Sequence, residues 1–142
     1  MTQAREIPDL NVNVITKEDI KAVLTCIPYF QSGEAFGEWE YPVNRSPGLV
    51  PYPMLSEQAS SFLEACYAHN FVQAFNWGEW VEENRELAEN GFGIEELDLE
   101  GVVKLLTSLI RGDRFCGGLL LAAMEDSRIF RILNQLDKIS KQ

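Results

Sequence analysis

The chain has 142 residues, of which 46% are hydrophobic and 24% charged, a composition typical of a single globular domain. Three widely spaced cysteines exclude a disulfide framework and no apolar run spans a bilayer, so we expect a soluble, cytoplasmic protein. The net charge of −10 makes the protein acidic and disfavours nucleic acids and membranes as partners, because both present phosphates that basic side chains must neutralise.

The first predicted helix follows a capping box. Thr16 and Asp19 have the spacing of such a box, and the apolar residues after them repeat at helical intervals. Pro28 should end or kink this helix, because proline lacks a backbone donor and disfavours helical geometry at the residue before it. The segment 33–55 is rich in proline and glycine, and we predict a small β-hairpin or an irregular loop there.

Two further helices are predicted in the middle of the chain. The second helix begins at the N-cap Ser56 and ends near His69. The third helix begins at the N-cap Asn76 and ends at Asn90-Gly91, where glycine is a common C-cap. Glutamates on the third helix are interpreted as a solvated face.

Three consecutive helices are predicted in the last third of the chain. Asp98 is the N-cap of the fourth helix, which closes at Arg111-Gly112. Asp113 should then be the N-cap of a fifth helix from Arg114 to about Glu125. A sixth helix follows, with an apolar stripe of Ile129, Ile132, Leu133, Leu136 and Ile139.

The fold class follows from these elements. We predict a mainly α single domain over residues 1–142, with five or six helices and a small β-hairpin or irregular loop insertion. Residues 1–14 are expected to be disordered.

Charge is unevenly distributed, since residues 1–100 carry eighteen acids and five bases and residues 101–142 carry four acids and seven bases. The basic end should therefore pack against the acidic part, in the same chain or in a second copy.

Common catalytic motifs are absent from the sequence. His69 is the only histidine, which excludes a metal site with several histidines and suggests a structural imidazole at a helix end. No phosphate-binding or dinucleotide-binding glycine pattern occurs, and no nucleophile elbow. The sequence therefore favours a non-enzymatic protein with no metal and no cofactor.

A candidate anion or ligand site lies at the predicted corner of the fourth and fifth helices. Arg114 would stand in the first turn of a helix, where the dipole opposes a cation, so it needs a carboxylate of the chain or a bound anion. Arg111, Cys116 and Glu125 complete the candidate set, although the apolar neighbours of Cys116 predict a buried, unreactive thiol. Gly117-Gly118 would leave room there for a closely packed helix or a ligand.

A candidate interaction surface is predicted from aromatic residues in the hairpin and the third helix, namely Trp39, Tyr41, Trp77 and Trp80. The leading interpretation is a non-enzymatic, self-associating protein-interaction module, with a second copy (a homodimer) or another protein as its partner. The alternative is a small anion- or nucleotide-type ligand-binding protein or enzyme with its site at the corner of helices four and five. Mimicry of a nucleic acid by the acidic third helix is a third hypothesis.

The region from Leu105 to Asp126 resembles an uncharacterised bacterial domain-of-unknown-function family. The resemblance rests on Asp-Arg-Phe-Cys-x-Gly, which begins at Asp113, and on a following Leu-x-Ala-Ala segment with an acidic pair. It extends upstream to the tryptophans of the third helix and the hairpin. Two departures are Gly117, where the family commonly has an acid, and Ser127, where it often has glycine. The resemblance implies no established activity, cofactor or catalytic residue.

Overall fold

The computed structural model describes residues 10–40 and 52–142 of the chain. These ranges contain eight α-helices and one antiparallel pair of strands, which confirms the predicted mainly α fold with a small hairpin. In chain order the elements are α1 (Lys17–Leu24), α2 (Ile27–Gln31), β1 (Gly37–Glu40), β2 (Tyr52–Leu55), α3 (Glu57–Ala68), α4 (Trp77–Glu83), α5 (Arg85–Asn90), α6 (Leu99–Gly112), α7 (Leu119–Glu125) and α8 (Arg128–Ser140).

Four of the N-caps predicted from the sequence are confirmed. Thr16 accepts a hydrogen bond from the Asp19 backbone N–H at 3.1 Å, and the Asp19 carboxylate accepts one from the Thr16 backbone N–H at 2.9 Å. Each cap satisfies a backbone donor that the first turn of a helix leaves free. The same role is performed by the side chains of Ser56, Asn76 and Asp98.

Two of the predicted helices are each interrupted once. The first predicted helix breaks at Thr25 and Cys26, and Pro28 lies in the first turn of α2, where its missing N–H removes no helical hydrogen bond. The third predicted helix breaks at Asn84, whose side-chain amide donates to the carbonyl of Trp80 at 2.9 Å. The Asn84 side chain competes with backbone N–H groups for the Trp80 carbonyl, and this competition explains the second break.

The hairpin pairs β1 with β2 in an antiparallel register that places Trp39 opposite Pro53. Gly37 lies opposite Leu55, and a Cβ at position 37 would overlap the Met54 carbonyl, so the close approach of the strands requires glycine there. The predicted hairpin is confirmed over these strands. Tyr41 and the rest of the connection between them lie outside the described residues.

Helices α6 and α8 form the centre of the hydrophobic core. Helix α6 packs against α4, α5, α7 and α8, and α8 also packs against α1 and α2. Their apolar stripes are buried, at roughly 1.5–3 kcal/mol of transfer free energy for each large side chain. Fully buried members include Val102, Leu106, Ile132, Leu133 and Leu136.

The connector between α3 and α4 is fixed to the middle of α6 by one hydroxyl group. The buried Thr107 side chain donates to the Phe71 carbonyl at 3.2 Å and accepts from the Gln73 backbone N–H at 3.1 Å. Thr107 therefore provides hydrogen bonds for two backbone groups that have no partner within a helix or strand. This contact sets where α4 begins relative to α6.

Two arginines at the start of α8 bind the end of α5. Arg128 is 6% exposed; its Nε donates to both Asp126 carboxylate oxygens, at 2.8 and 3.0 Å, and its Nη1 donates to the Ala88 carbonyl at 2.7 Å. Arg131 donates to the Gly91 carbonyl at 2.9 Å and pairs with Glu95 at 2.6 Å. These contacts satisfy carbonyls that the end of a helix leaves free.

Candidate functional site

The turn that joins α6 to α7, residues 113–118, contains two of the four candidate ligand residues, Arg114 and Cys116, and is called the α6–α7 turn below. The Asp113 carboxylate accepts hydrogen bonds from the backbone N–H groups of Gly118, at 3.1 Å, and Leu120, at 3.0 Å. The Cys116 backbone N–H donates to the Gly112 carbonyl at 2.9 Å. Asp113 is therefore not the N-cap that was predicted, since Gly118 holds that position, but its carboxylate closes the turn by accepting from two backbone N–H groups near the start of α7.

The predicted start of the fifth helix at Arg114 is wrong, because α7 begins at Leu119. Gly118 has a φ of 98°, a left-handed conformation that an α-helix does not accommodate. Arg114 thus lies outside the first turn of a helix, and the dipole argument for a compensating anion does not apply to it. Cys116 lies in the same turn and is exposed, which corrects the expectation of a buried thiol.

The hairpin lies across the α6–α7 turn through Trp39. Its indole ring packs directly on Gly118, where an added Cβ would come within 2.5 Å of the Trp39 Cζ3 atom. The Trp39 Nε1 donates to the Glu125 carboxylate at 3.2 Å. The missing side chain at position 118 therefore makes room for an aromatic ring of the hairpin, whereas the sequence had suggested a helix or a ligand.

A pair of aromatic rings, those of Trp77 and Phe115, also lies at the turn. The rings of Trp77 and Phe115 lie 5.8 Å apart, centroid to centroid, at 37° to each other. Trp77 also approaches the end of α6, since a Cβ at Gly112 would lie 3.8 Å from its ring. Trp77 is half-buried, whereas Phe115 is 82% exposed, the largest exposed fraction among the large hydrophobic residues with described side chains.

The structure brings the candidate ligand residues to one region, but within the described residues no hydrogen bond or ion pair joins their side chains to each other. Arg111 lies in the last turn of α6, Arg114 and Cys116 lie in the α6–α7 turn, and Glu125 ends α7. Within residues 10–40 and 52–142, neither guanidinium forms an ion pair. The described contact of Glu125 is with Trp39, so this carboxylate holds the hairpin.

The candidate interaction residues separate into two groups. Trp39 and Trp77 both lie at the α6–α7 turn, Trp39 against Gly118 and Trp77 near Phe115 and Gly112. Trp80 packs against the core, with its ring 6.3 Å from that of Phe75. Tyr41 lies outside the described residues.

His69 forms a contact between α1 and α3. It is the C-cap of α3, and its Nδ1 lies 2.9 Å from the Asp19 carboxylate. The backbone hydrogen bond from Thr16, followed by that from His69, lowers the pKa of Asp19 to about 2. The ionised Asp19 therefore stabilises the fold above the unfolded pKa of about 3.9, and this contribution is lost as the pH falls toward 2.

The described residues offer little for metal or thiol chemistry. They contain no group of three histidine, cysteine or acidic side chains that could hold a metal ion. Cys66 is fully buried, which raises the pKa of its thiol, and partial burial does the same for Cys26. No helix in the described ranges has the length and apolar character needed to cross a membrane.

Sequence reasoning missed two features with a possible role in binding. The exposure of Phe115 was missed because an aspartate before it and glycines after it fit a helix start as well as a turn. The second feature is a cleft of about 520 Å³ lined in part by Gln135 of α8. The sequence signal for this cleft was Gln135 itself, a polar residue next to the apolar stripe of α8.

Fold and site together define a small helical domain in which a two-stranded hairpin crosses the turn between two helices. Residues 15–142 match the model of a family described as "Family of unknown function (DUF6508)", and the chain belongs to this family. The matched range includes every helix and strand given above. The resemblance to a family of unknown function is thus confirmed. Comparisons with curated proteins and with solved structures find no match.

Proposed function

We propose that this chain is a non-enzymatic, cytoplasmic protein-interaction module that self-associates through the α6–α7 turn. The observation that carries the proposal is the 82% exposure of Phe115. A single exposed aromatic side chain is common on protein surfaces. The Phe115 ring, however, lies 5.8 Å from the Trp77 ring, and Phe115 follows Arg114 directly in the chain. Tryptophan and arginine are enriched among the residues that dominate binding energy in protein interfaces.

The rigidity of the turn supports this proposal. Asp113 accepts two backbone hydrogen bonds across the turn, and Trp39 packs on Gly118. A partner that binds Phe115 would therefore order few additional groups, and the entropic cost of association would be small.

Charge favours this face for a second copy of the chain. Two copies with a net charge of −10 repel each other, so they should meet where basic residues are present. Arg111 and Arg114 have no ion pair within the described part of the chain. The acidic third helix of the prediction is now α4 and α5, and a second copy could present the exposed α5 carboxylates of Glu86 and Glu89 to them.

Substitution of Phe115 tests the proposal. We expect the wild type to dimerise in sedimentation equilibrium, and Phe115→Ser to weaken the dimer by about 30-fold, since loss of an interface hot spot costs about 2 kcal/mol. The matched control is Phe92→Ser, which removes another turn phenylalanine that is 70% exposed. A wild type that stays monomeric at 100 μM, or an equal effect of both substitutions, would contradict self-association through this turn.

Crosslinking through Cys116 gives an independent measurement of the same interface. A symmetric dimer places the same patch of each copy against the other, so the two exposed Cys116 thiols should react with one short bismaleimide. Cys66 is buried and should remain unmodified. We expect the crosslink to disappear in the Phe115→Ser variant.

A second candidate function, binding of a small anion or nucleotide, is favoured by the guanidinium groups of Arg111 and Arg114, which form no ion pair with any residue in the ranges 10–40 and 52–142. The backbone N–H groups of Gly118 and Leu120 already donate to Asp113, so the arginine side chains would have to hold the anion. We expect such a ligand at a hundred times its Kd to raise Tm by roughly 5–10 °C. Arg114→Ala should abolish the rise and Arg85→Ala should retain it. A panel of nucleotides and phosphates that leaves Tm unchanged would exclude this function.

A further inference from the structure

A cleft of about 520 Å³ lies apart from the α6–α7 turn, between α8 and the segment that leads into α6. Its polar lining residues include Glu96, Asp98 and Gln135. Its apolar lining residues are Leu97, Leu99 and Ile139, which are together called the apolar wall below. The cleft therefore combines acceptor groups with a wall that an alkyl chain could cover.

Gln135 leaves one hydrogen-bond acceptor unused in this cleft. Its side-chain amide nitrogen donates to the Leu97 carbonyl at 2.6 Å, and the residue is only 7% exposed. Its Oε1 atom is buried and has no hydrogen-bond partner among the described residues. The amide cannot simply turn over, because Oε1 would then face the Leu97 carbonyl oxygen. A buried acceptor without a donor is costly, so the position calls for a ligand that donates.

The charges around the cleft favour a cation. Glu96 and Asp98 are exposed, and neither forms an ion pair within the described ranges. Asp98 uses one carboxylate oxygen to cap α6, by accepting from the Gly101 backbone N–H. The neighbouring cations Arg131 and Lys138 act on Glu95 instead. The Arg131 hydrogen bond is the largest cause that lowers the pKa of Glu95, and the charges of Arg131 and Lys138 add to it.

We propose that this cleft binds a primary alkylammonium group. One ammonium N–H donates to the Gln135 Oε1, the positive charge lies near Glu96 and Asp98, and the alkyl chain covers the apolar wall. A bare metal ion fits less well, because the described residues do not bring three metal-ligating side chains together. The proposal is independent of self-association through the α6–α7 turn.

Titration of the full chain with n-butylammonium chloride tests the proposal. We expect the side-chain amide resonances of Gln135 to shift in NMR spectra, with saturation, while n-butanol at the same concentration leaves them unchanged. The double variant Glu96→Gln/Asp98→Asn should bind about tenfold more weakly, and asparagine keeps the N-cap of α6. The matched control Glu82→Gln/Glu83→Gln removes the same charge from α4 and should change the affinity less than twofold.

The outcomes separate the proposal from diffuse attraction to an acidic protein. Unshifted Gln135 resonances at 50 mM butylammonium, an equal response to n-butanol, or equal weakening in the α4 control would each overturn it. A parallel titration with Nα-acetyl-lysine methylamide identifies the source of the ammonium group. Tighter binding of the lysine derivative indicates a lysine side chain of a peptide, and tighter binding of butylammonium indicates a free amine.

Discussion

A Gly118→Ala variant is expected to lose about 2 to 5 kcal/mol of folding free energy, measured by urea unfolding at 25 °C. Two costs add at this position. The φ of 98° is unfavourable for any residue with a Cβ, at roughly 1–2 kcal/mol. The new Cβ would also overlap the Trp39 ring and push the hairpin from the turn, at roughly 1–3 kcal/mol.

The neighbouring glycine and the contacted tryptophan provide the controls for this variant. Gly117→Ala places its Cβ 4.0 Å from Pro53 and should change stability by less than about 0.5 kcal/mol. In a Trp39→Leu background, Gly118→Ala should retain only the backbone cost, and the difference is the coupling energy of the pair. An equal cost of Gly118→Ala in both backgrounds would show that the Trp39 ring is not what requires glycine.

An Arg128→Met variant is expected to lose about 2 to 4 kcal/mol of folding free energy. Methionine retains much of the apolar stem, so the loss reports the hydrogen bonds rather than the packing. The Ala88 carbonyl at the end of α5 would be left buried without its donor, and Asp126 would lose its ion pair while keeping its hydrogen bond from the backbone N–H of residue 128. Unfolding followed by circular dichroism measures the effect.

The comparison for this prediction is Arg131→Met, which removes a more exposed arginine from the same helix. The side chains of Arg131 and Glu95 are 36% and 49% exposed, so their ion pair is screened by water. We expect a loss of about 1 kcal/mol, mostly from the hydrogen bond to Gly91. Equal losses from both variants would contradict the argument that burial makes the Arg128 contacts the stronger ones.

Local chemistry was enough to predict most of the helices. Thr16, Ser56, Asn76 and Asp98 are N-caps in the structure because each side chain reaches a donor three residues ahead, a distance that the sequence itself defines. The apolar periodicity of α6 and α8 likewise identifies the faces that form the core. These features depend on residues within one or two helical turns of each other.

The candidate site was harder to predict because it depends on contacts between distant parts of the chain. Asp113 looks like a cap for the residues that follow it at once, but its carboxylate binds the backbone N–H groups five and seven residues ahead. Gly118 reads as a helical glycine until Trp39 of the hairpin is placed on it. Neither contact leaves a periodic signal in the sequence.

Ser127 is a position where the local sequence pattern does not reveal the backbone conformation. In the structure, Ser127 has a φ of 72°, a left-handed conformation that glycine adopts without steric cost. The tight connection between α7 and α8 requires this conformation, and serine adopts it at a cost.

The hydrogen bond between Trp39 and Glu125 joins residues 86 positions apart, whereas α6, α7 and α8 follow one another closely along the chain. Contacts that close long loops tend to form late in folding, and sparsely tied elements open locally before the core does. The hairpin should therefore detach while the three helices stay folded, and its amide hydrogens should exchange with solvent before those of α6 and α8. Each detachment uncovers Gly118 and releases the Glu125 carboxylate, whereas the hydrogen bonds from Gly118 and Leu120 to Asp113 keep the α6–α7 turn closed.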